Sequence, residues 1–238
     1  MAYDDTATGR RLGKALVVAS LALALLLVLS WVLGLWRDDA GSEVTSPAKP
    51  TPSSSAVVPD LSWAEYQGVR LPVSRQAGPA SSADGRASGF ERSDLGAALA
   101  AAHLVVRAGP GPGPKVYGPT IAEQVVGPDK SALAATVDRD YDAALTQSGI
   151  EDGQPLGVGN VRFLGYRIYA SSDSMRQVTL VEQAPDANGV PQYFEVAVAV
   201  QWVDGDWRLV APREGTWTTA FTQLDQEPAS YMRFGRAD

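Results

Sequence analysis

The chain of 238 residues contains no cysteine. This absence excludes disulfide bonds, thiolate metal sites and cysteine nucleophiles, so any exported domain must be held together by its core alone. Histidine occurs once, at His103, which leaves no second imidazole to complete a histidine metal site. Lysine is limited to positions 14, 49, 115 and 130, and the formal net charge is −7. Because sequence-independent nucleic-acid binding needs clustered basic residues, we expect no direct nucleic-acid binding.

One long apolar run lies near the start of the chain. It begins at Ala15, ends at Trp36 and contains no charged residue. At about 1.5 Å per residue, a helix of this length spans the roughly 30 Å hydrocarbon core of a bilayer. Arg10, Arg11 and Lys14 precede the run, so the positive-inside rule places the N-terminus in the cytoplasm and the rest outside. A cleavable signal peptide is the rival hypothesis, but the run ends in WVLGLWRDD, a poor cleavage site.

Composition divides the chain into five segments. They are a cytoplasmic N-terminus at 1–14, a transmembrane helix at 15–36, a disordered linker at 37–60, an extracytoplasmic domain at 61–212 and a partly packed C-terminal tail at 213–238. The linker contains SPAKPTPSSS, whose proline and serine content cannot support a packed core. The sequence thus predicts a single-pass protein of the cell membrane that contacts the lipid bilayer through residues 15–36.

The domain begins with an aromatic segment and a helix. LSWAEYQGVRLP, at 61–72, carries aromatic and aliphatic residues, and we expect it to dock on the domain as an N-terminal arm. Ser93 is a good N-cap for the first helix. The apolar residues that follow it share one helical face: Leu95, Ala98, Leu99, Ala102, Val105 and Val106.

Glycine and proline then interrupt the helical periodicity. The stretch at 109–119 predicts a stiff loop, and a short helix is expected at 120–126. Asp129 or Ser131 should cap a third helix, which ends near Ser148 with Gly149 as its stop. Its apolar stripe consists of Leu133, Val137, Tyr141 and Leu145.

After Gly149 the apolar period changes from 3.6 to 2. The alternation predicts strands at 161–169, 177–182, 193–203 and 207–210, with a bulge at Gly165. Asp204 and Gly205 form a two-residue hairpin loop of the type I′ class, across which Trp202 and Trp207 should face each other. Helices followed by consecutive antiparallel strands predict an α+β fold in which a curved sheet packs on the helices.

The single histidine and a group of aspartates are the first candidates for chemistry. His103 lies beside the apolar stripe, one turn after Leu99, and is predicted to be a boundary residue at the rim of the core. Asp138, Asp140 and Asp142 have the spacing that begins a calcium loop. RDYDAAL lacks the required glycine and terminal glutamate, so a solvated helix face is the better interpretation.

Other motifs are weaker. GVGNVRFLG, at 157–165, lacks the third glycine of a dinucleotide fingerprint and is predicted to be a turn that leads into a strand. An acid–base site in a pocket between helices and sheet could use Asp138, Glu182 and Glu195, but nothing distinguishes them from surface carboxylates. The sequence therefore assigns no catalytic, cofactor-binding or metal-binding residues and implies no cofactor.

Three segments carry a family resemblance. They are LSWAEYQGVRLPVS, GFERSDLGAALAAAHLVVRA, which starts at Gly89, and VYGPTIAEQVVGPDKSALAATVDRDYDAAL, which starts at Val116. Together they resemble an actinobacterial domain of unknown function found in proteins of integrative and conjugative elements. The resemblance covers roughly residues 61–210.

The layout is also similar to that of the inner-membrane assembly factors of type IV secretion and conjugation systems. This similarity implies a nuclear-transport-factor-like or cystatin-like fold, and a scaffold that is not an enzyme. Its partners would be other membrane subunits of a transfer complex, and self-association stays open. Two alternatives remain: an anchored accessory protein of an envelope transport complex, and a small-ligand pocket protein or enzyme of the same fold.

Overall fold

The computed structural model describes residues 61–157 and 159–235, which form a mixed α+β fold with a curled half-barrel sheet. The predicted α+β class is therefore confirmed. The described residues contain no helix that is long and apolar enough to cross a membrane. The predicted transmembrane segment at 15–36 and the predicted linker at 37–60 lie outside the described residues.

Among the described residues, three α-helices precede most of the sheet. They are α1 Asp94–Arg107, α2 Pro114–Gln124 and α3 Lys130–Ser148. The Ser93 hydroxyl caps α1 as predicted, because it accepts a hydrogen bond from the Gly96 N–H at 3.1 Å. Gly149 ends α3 with a φ of 68°, the left-handed conformation that glycine adopts without steric cost.

Nine strands form one sheet in the described part of the chain. They are β1 Leu61–Tyr66, β2 Val69–Ser74, β3 Val125–Val126, β4 Arg162–Ser172, β5 Met175–Pro185, β6 Pro191–Val203, β7 Asp206–Val210, β8 Phe221–Leu224 and β9 Met232–Arg233. The order is β1-β2-β4-β5-β6-β7-β3, with β8 paired to β6 and β9 paired to β4. Strands β4 to β7 are antiparallel neighbours, which confirms the four strands predicted from alternation.

Local details of the strands also follow the sequence. Asp204 and Gly205 have φ of 51° and 82°, as a type I′ loop requires. Trp202 and Trp207 pair across that hairpin with ring centroids 5.3 Å apart. The register of β4 shifts just before Gly165, where the sequence predicts a bulge.

The predicted N-terminal arm is a two-stranded hairpin. β1 and β2 pair antiparallel along their whole length. Gln67 and Gly68 have φ of 49° and 87°, the two left-handed positions of a tight hairpin turn. A parallel bridge between Arg70 of β2 and Arg162 of β4 joins the hairpin to the sheet. The segment is therefore part of the sheet and not a docked arm.

The predicted loop at 109–119 is wrong in its second half. α2 begins at Pro114, the first helical position, where the missing N–H of proline has no intrahelical partner to lose. Pro119 lies inside α2 and removes one helical hydrogen bond. Burial of Tyr117 offsets that loss, so tertiary packing overrides the local breaker signal. Residues 125–126 form β3 and not the end of a helix.

α1 is buried on nearly every side, and not only along its predicted stripe. All six residues from Ala97 to Ala102 have an exposure of 0%. The helix contacts β2, β4, β5, β6 and β7, so the sheet curls around it. Five of these six side chains are alanines, whose small size lets the surrounding backbone approach closely. α1 is thus the centre of the hydrophobic core.

Part of the C-terminal segment packs back onto the sheet. Tyr231 and Phe234 are 5% and 0% exposed. The Phe234 ring lies 5.1 Å from the Tyr166 ring of β4. A side chain at Gly165 would meet the Met232 carbonyl at 2.1 Å, so the bulge glycine lets this segment approach β4 closely.

Candidate functional site

The segment that contains the GF motif is anchored to β7. The Asp206 carboxylate accepts hydrogen bonds from the Gly89 and Phe90 N–H groups at 2.8 and 3.0 Å. The Trp207 indole N–H donates to the Glu91 carbonyl at 2.8 Å. These bonds tie the entry of α1 to the sheet, so this segment, which carries part of the family resemblance, has a structural role in this fold.

A buried polar cluster surrounds the last turn of α1. His103 Nε2 lies 2.9 Å from the Pro72 carbonyl, and His103 Nδ1 lies 3.2 Å from Arg107 Nη1. A carbonyl can only accept and a guanidinium can only donate, so Nε2 carries the proton and Nδ1 accepts. Arg107 Nε also donates to the Gly85 carbonyl at 2.8 Å. Both nitrogens of the single histidine are therefore occupied.

The electrostatics of this cluster keep the histidine neutral. Burial, together with the nearby Arg107 charge, lowers the pKa of His103 to about 3. Burial also lowers the pKa of Arg107, to about 10. The Arg107 guanidinium lies 4.0 Å from the Tyr66 ring centroid, a cation–π contact, and burial raises the pKa of Tyr66.

The predicted position of His103 at the rim of the core is wrong, because its exposure is only 1%. The hairpin covers it through Pro72, and the sequence pattern predicts a docked arm there, not a hairpin. Helical spacing could have identified Arg107, because it follows His103 by four residues and so shares its helical face. Tyr66 reaches the cluster only through β1 and could not be found from helical spacing.

The three carboxylates considered as an acid–base group lie apart. Asp138 is exposed on α3. Glu195 lies on the outer face of β6 and pairs with Arg167. Glu182 lies on the core face of β5, the same face as the buried Leu180 two residues earlier. The structure therefore does not bring these residues together.

Glu182 is nevertheless unusual. Its exposure is 7%, and it stands between Phe163 of β4 and Phe194 of β6 in the sheet register. No described residue forms a hydrogen bond or ion pair with its side chain. Burial raises the pKa of Glu182 to about 8, so the carboxyl is largely protonated at neutral pH. Such a group can donate a hydrogen bond or transfer a proton.

A shallow cleft separates α2 from α3. Its volume is about 200 Å³, below the roughly 300 Å³ at which typical ligand pockets begin. Tyr117, Ile121 and Ala134 contribute to its mainly apolar wall. Burial, followed by the effect of the nearby Asp138 carboxylate, raises the pKa of Tyr117. Lys130 Nζ is engaged with the Ala122 carbonyl at 2.5 Å.

Acidic residues do not assemble into a metal site in the part that the structure describes. No group of three or more histidine, aspartate or glutamate side chains is placed there to hold a metal ion. Asp138, Asp140 and Asp142 lie on the continuous helix α3, whereas a calcium loop would need an irregular backbone.

Comparison with known families adds an assignment without an activity. Residues 27–227 match the model of a family described as a domain of unknown function, DUF8175. The chain belongs to this family. The match includes α1 with its GF entry, the buried cluster and the antiparallel strands β4 to β8. The comparisons with curated proteins and with solved structures found no match.

Proposed function

We propose that this DUF8175 protein is a non-catalytic scaffold subunit of a conjugative DNA-transfer apparatus of the type IV secretion kind, in an actinobacterial host. The helix at 15–36 anchors it in the cell membrane, and the domain lies outside, where it holds other membrane subunits together. The domain adopts the nuclear-transport-factor-like arrangement of helices packed into a curved sheet. The described α+β architecture supports the proposed fold but carries no information about the partner subunits.

The observation that carries the non-catalytic part of the proposal is the state of His103. Its two nitrogens bond to Pro72 and Arg107, and its pKa of about 3 keeps it neutral. A general base needs a free nitrogen within reach of substrate. The most prominent polar cluster of the domain is thus used to fasten the hairpin to α1.

Gene deletion tests the assignment to conjugation. We expect transfer of the element to recipient cells to be abolished or sharply reduced, while DNA processing in the donor continues. A domain released from its anchor should not restore transfer at normal levels, because only the anchored domain is held at a high effective concentration near its partners. An unrelated anchor in place of residues 15–36 should restore much of it. Unchanged mating counts in the deletion strain contradict the conjugation proposal.

Substitution at His103 tests the non-catalytic proposal. His103→Gln keeps an N–H near the Pro72 carbonyl but removes the imidazole as an acid or base. We expect a folded protein that supports normal transfer. His103→Ala is a poorer test, because it leaves a buried cavity and an unpaired carbonyl. A His103→Gln protein that is as stable as the parent yet inactive contradicts the scaffold proposal.

The second candidate is a small-ligand pocket protein or enzyme of the same fold, and buried Glu182 favours it. Glu182→Gln has nearly the shape of the protonated carboxyl but cannot release a proton. If the Glu182→Gln protein folds as well as the parent and loses function, the pocket hypothesis replaces the scaffold. If it functions normally, Glu182 has no proton-transfer role.

A further inference from the structure

Among the described strands, β1 is the outermost of the sheet, with β2 on one side only. The Pro72 carbonyl and the main chain of Ser74 bond to groups outside the hairpin, so they point away from β1. In the register, Pro72 is opposite Trp63 and Ser74 is opposite Leu61. In an antiparallel pair of strands, two directly opposed residues either point their N–H and C=O groups toward each other or both point them away from the partner strand. Trp63 and Leu61 therefore point away from β2.

Strand alternation adds Glu65 to this set. We call the outward N–H and C=O groups of Leu61, Trp63 and Glu65 the β1 edge. None of these main-chain groups bonds to another described residue. Among described elements, only β2 makes extensive contact with β1, so no described helix or strand flanks the β1 edge. Unpaired edge groups of this kind are a template for a further strand.

The β1 edge also lacks the features that usually prevent pairing between chains. β1 contains no lysine, no proline and no register shift. Its one charge, on Glu65, is balanced by Arg70 of β2 at 3.2 Å. Ser62 and Ala64 are exposed but small, so they do not hinder a neighbouring strand.

We propose that the β1 edge pairs antiparallel with the β1 edge of a second copy of this chain, with the two-fold axis at Trp63. Each Trp63 is then opposite its counterpart, and each Leu61 is opposite Glu65 of the other copy. All three outward residues of both chains are used, which makes about six hydrogen bonds by the antiparallel rule. A register shifted by two residues leaves an outward residue of each chain unpaired.

The charges and the aromatic residue are compatible with this symmetry. The two Glu65 side chains are separated by four residues along the strands, about 13 Å, which exceeds the Debye length of about 8 Å at physiological salt. The half-buried Trp63 rings meet across the axis, and aromatic cross-strand pairs are favourable. A strand that complements itself needs no other sequence as its partner, so a second copy is the occupant that the β1 edge fits best.

Disulfide cross-linking can test the register, because the chain has no native cysteine. In the proposed pairing Ser62 is opposite Ala64 of the other copy, at a non-hydrogen-bonded position with Cα atoms about 4.5 Å apart. Two Ser62 residues are diagonal neighbours about 8 Å apart, beyond the reach of a disulfide. Two full-length chains with different tags, one with Ser62→Cys and the other with Ala64→Cys, are co-expressed, oxidised in membranes and separated on a non-reducing gel.

We expect at least about tenfold more cross-linked dimer from the mixture than from either variant alone, because only the mixture places two cysteines within disulfide range. Gln177→Cys mixed with Ala199→Cys is the control. These residues are opposite each other within one chain, on the outer face of β5 and β6, so separate chains cross-link there only by collision.

Removal of one main-chain N–H donor from the β1 edge provides an independent test of the pairing. Glu65→Pro removes an outward N–H, whereas Glu65→Ala removes the same ion pair with Arg70 and keeps the N–H. In the Ser62→Cys and Ala64→Cys background, we expect proline to reduce the dimer at least about tenfold and alanine to leave it nearly unchanged.

Three outcomes would overturn the proposal. One is a mixture that cross-links no better than the Gln177 and Ala199 control. Another is equal cross-linking of each single variant with itself, which excludes the stated register. The third is cross-linking to a different protein, which identifies another occupant of the β1 edge. The result is independent of conjugation, because a dimer can form whether or not the deletion strain transfers DNA.

Discussion

Gly96, the third residue of α1, should resist replacement by alanine although alanine is the better helix former. A Cβ atom at Gly96 would lie 2.0 Å from the Glu91 carbonyl oxygen and 2.9 Å from its carbon. Real Cβ atoms essentially never come within 3.0 Å of such atoms. The Glu91 carbonyl cannot move freely, because it accepts the hydrogen bond of the Trp207 indole at 2.8 Å. The close contact therefore forces the entry of α1 to shift.

The magnitude follows from the interactions that such a shift disturbs. Helix propensity favours alanine over glycine by about 1 kcal/mol. Against this gain stand about 1 kcal/mol for the Trp207 hydrogen bond, about 1 kcal/mol for the Ser93 cap and about 1–3 kcal/mol for overpacking. We expect Gly96→Ala to lower the free energy of unfolding by about 2–4 kcal/mol, a large part of a typical domain stability.

Urea unfolding of a soluble fragment that begins at Asp60, followed by tryptophan fluorescence, measures this loss. Gly118→Ala is the matched control, because Gly118 is also helical but has no described atom within 4 Å of the position that an added methyl group would take. We expect that variant to stay within about 1 kcal/mol of the parent. A Gly96→Ala protein as stable as the parent, or more stable, would refute the proposed fixed contact between the α1 entry and β7.

Two further predictions concern β6 and β5. Val198→Asp should prevent folding, because Val198 is 1% exposed and an unpaired buried charge costs several kcal/mol. Ala197→Asp, on the exposed face of β6, should fold. Similar unfolding curves for the two variants would contradict the assignment of the core face of β6. Glu182 keeps a proton up to a pKa of about 8 when folded, so its stabilising contribution is complete below its ordinary pKa near 4.5 and is lost as pH rises toward 8. The stability of the Glu182→Gln protein relative to the parent should therefore rise by up to several kcal/mol between about pH 5 and 8. A stability difference that does not change with pH would contradict a buried carboxyl without a bonding partner.

Much of the sheet could be predicted from local sequence, because the alternation of apolar residues and the turn residues depend on near neighbours in the chain. Val198 and its neighbours in β6 alternate between the core and the outer face, and Asp204-Gly205 supplies the left-handed turn residues that connect β6 to β7. The N-cap at Ser93 and the left-handed Gly149 likewise act within a few residues of the helix ends that they define.

The candidate site was much less predictable. The apolar stripe predicts His103 at the rim of the core, but β2 and Arg107 enclose it. Glu182 could be suspected only as one carboxylate among several, since its burial depends on strands β4 and β6 on either side. Helical or strand period identifies which residues share a face, but the identity of what covers that face comes from distant segments of the chain.

By itself, the sequence determined the fold class, the antiparallel strands β4 to β7 and the absence of disulfides, because these depend on composition and on interactions between near neighbours. Only the tertiary structure decided that residues 61–74 form a sheet hairpin, that α2 begins at Pro114 and that His103 is neutral and buried. Each of these outcomes depends on contacts between segments far apart in the chain, whose packing and desolvation free energies outweigh the local preferences that a sequence displays.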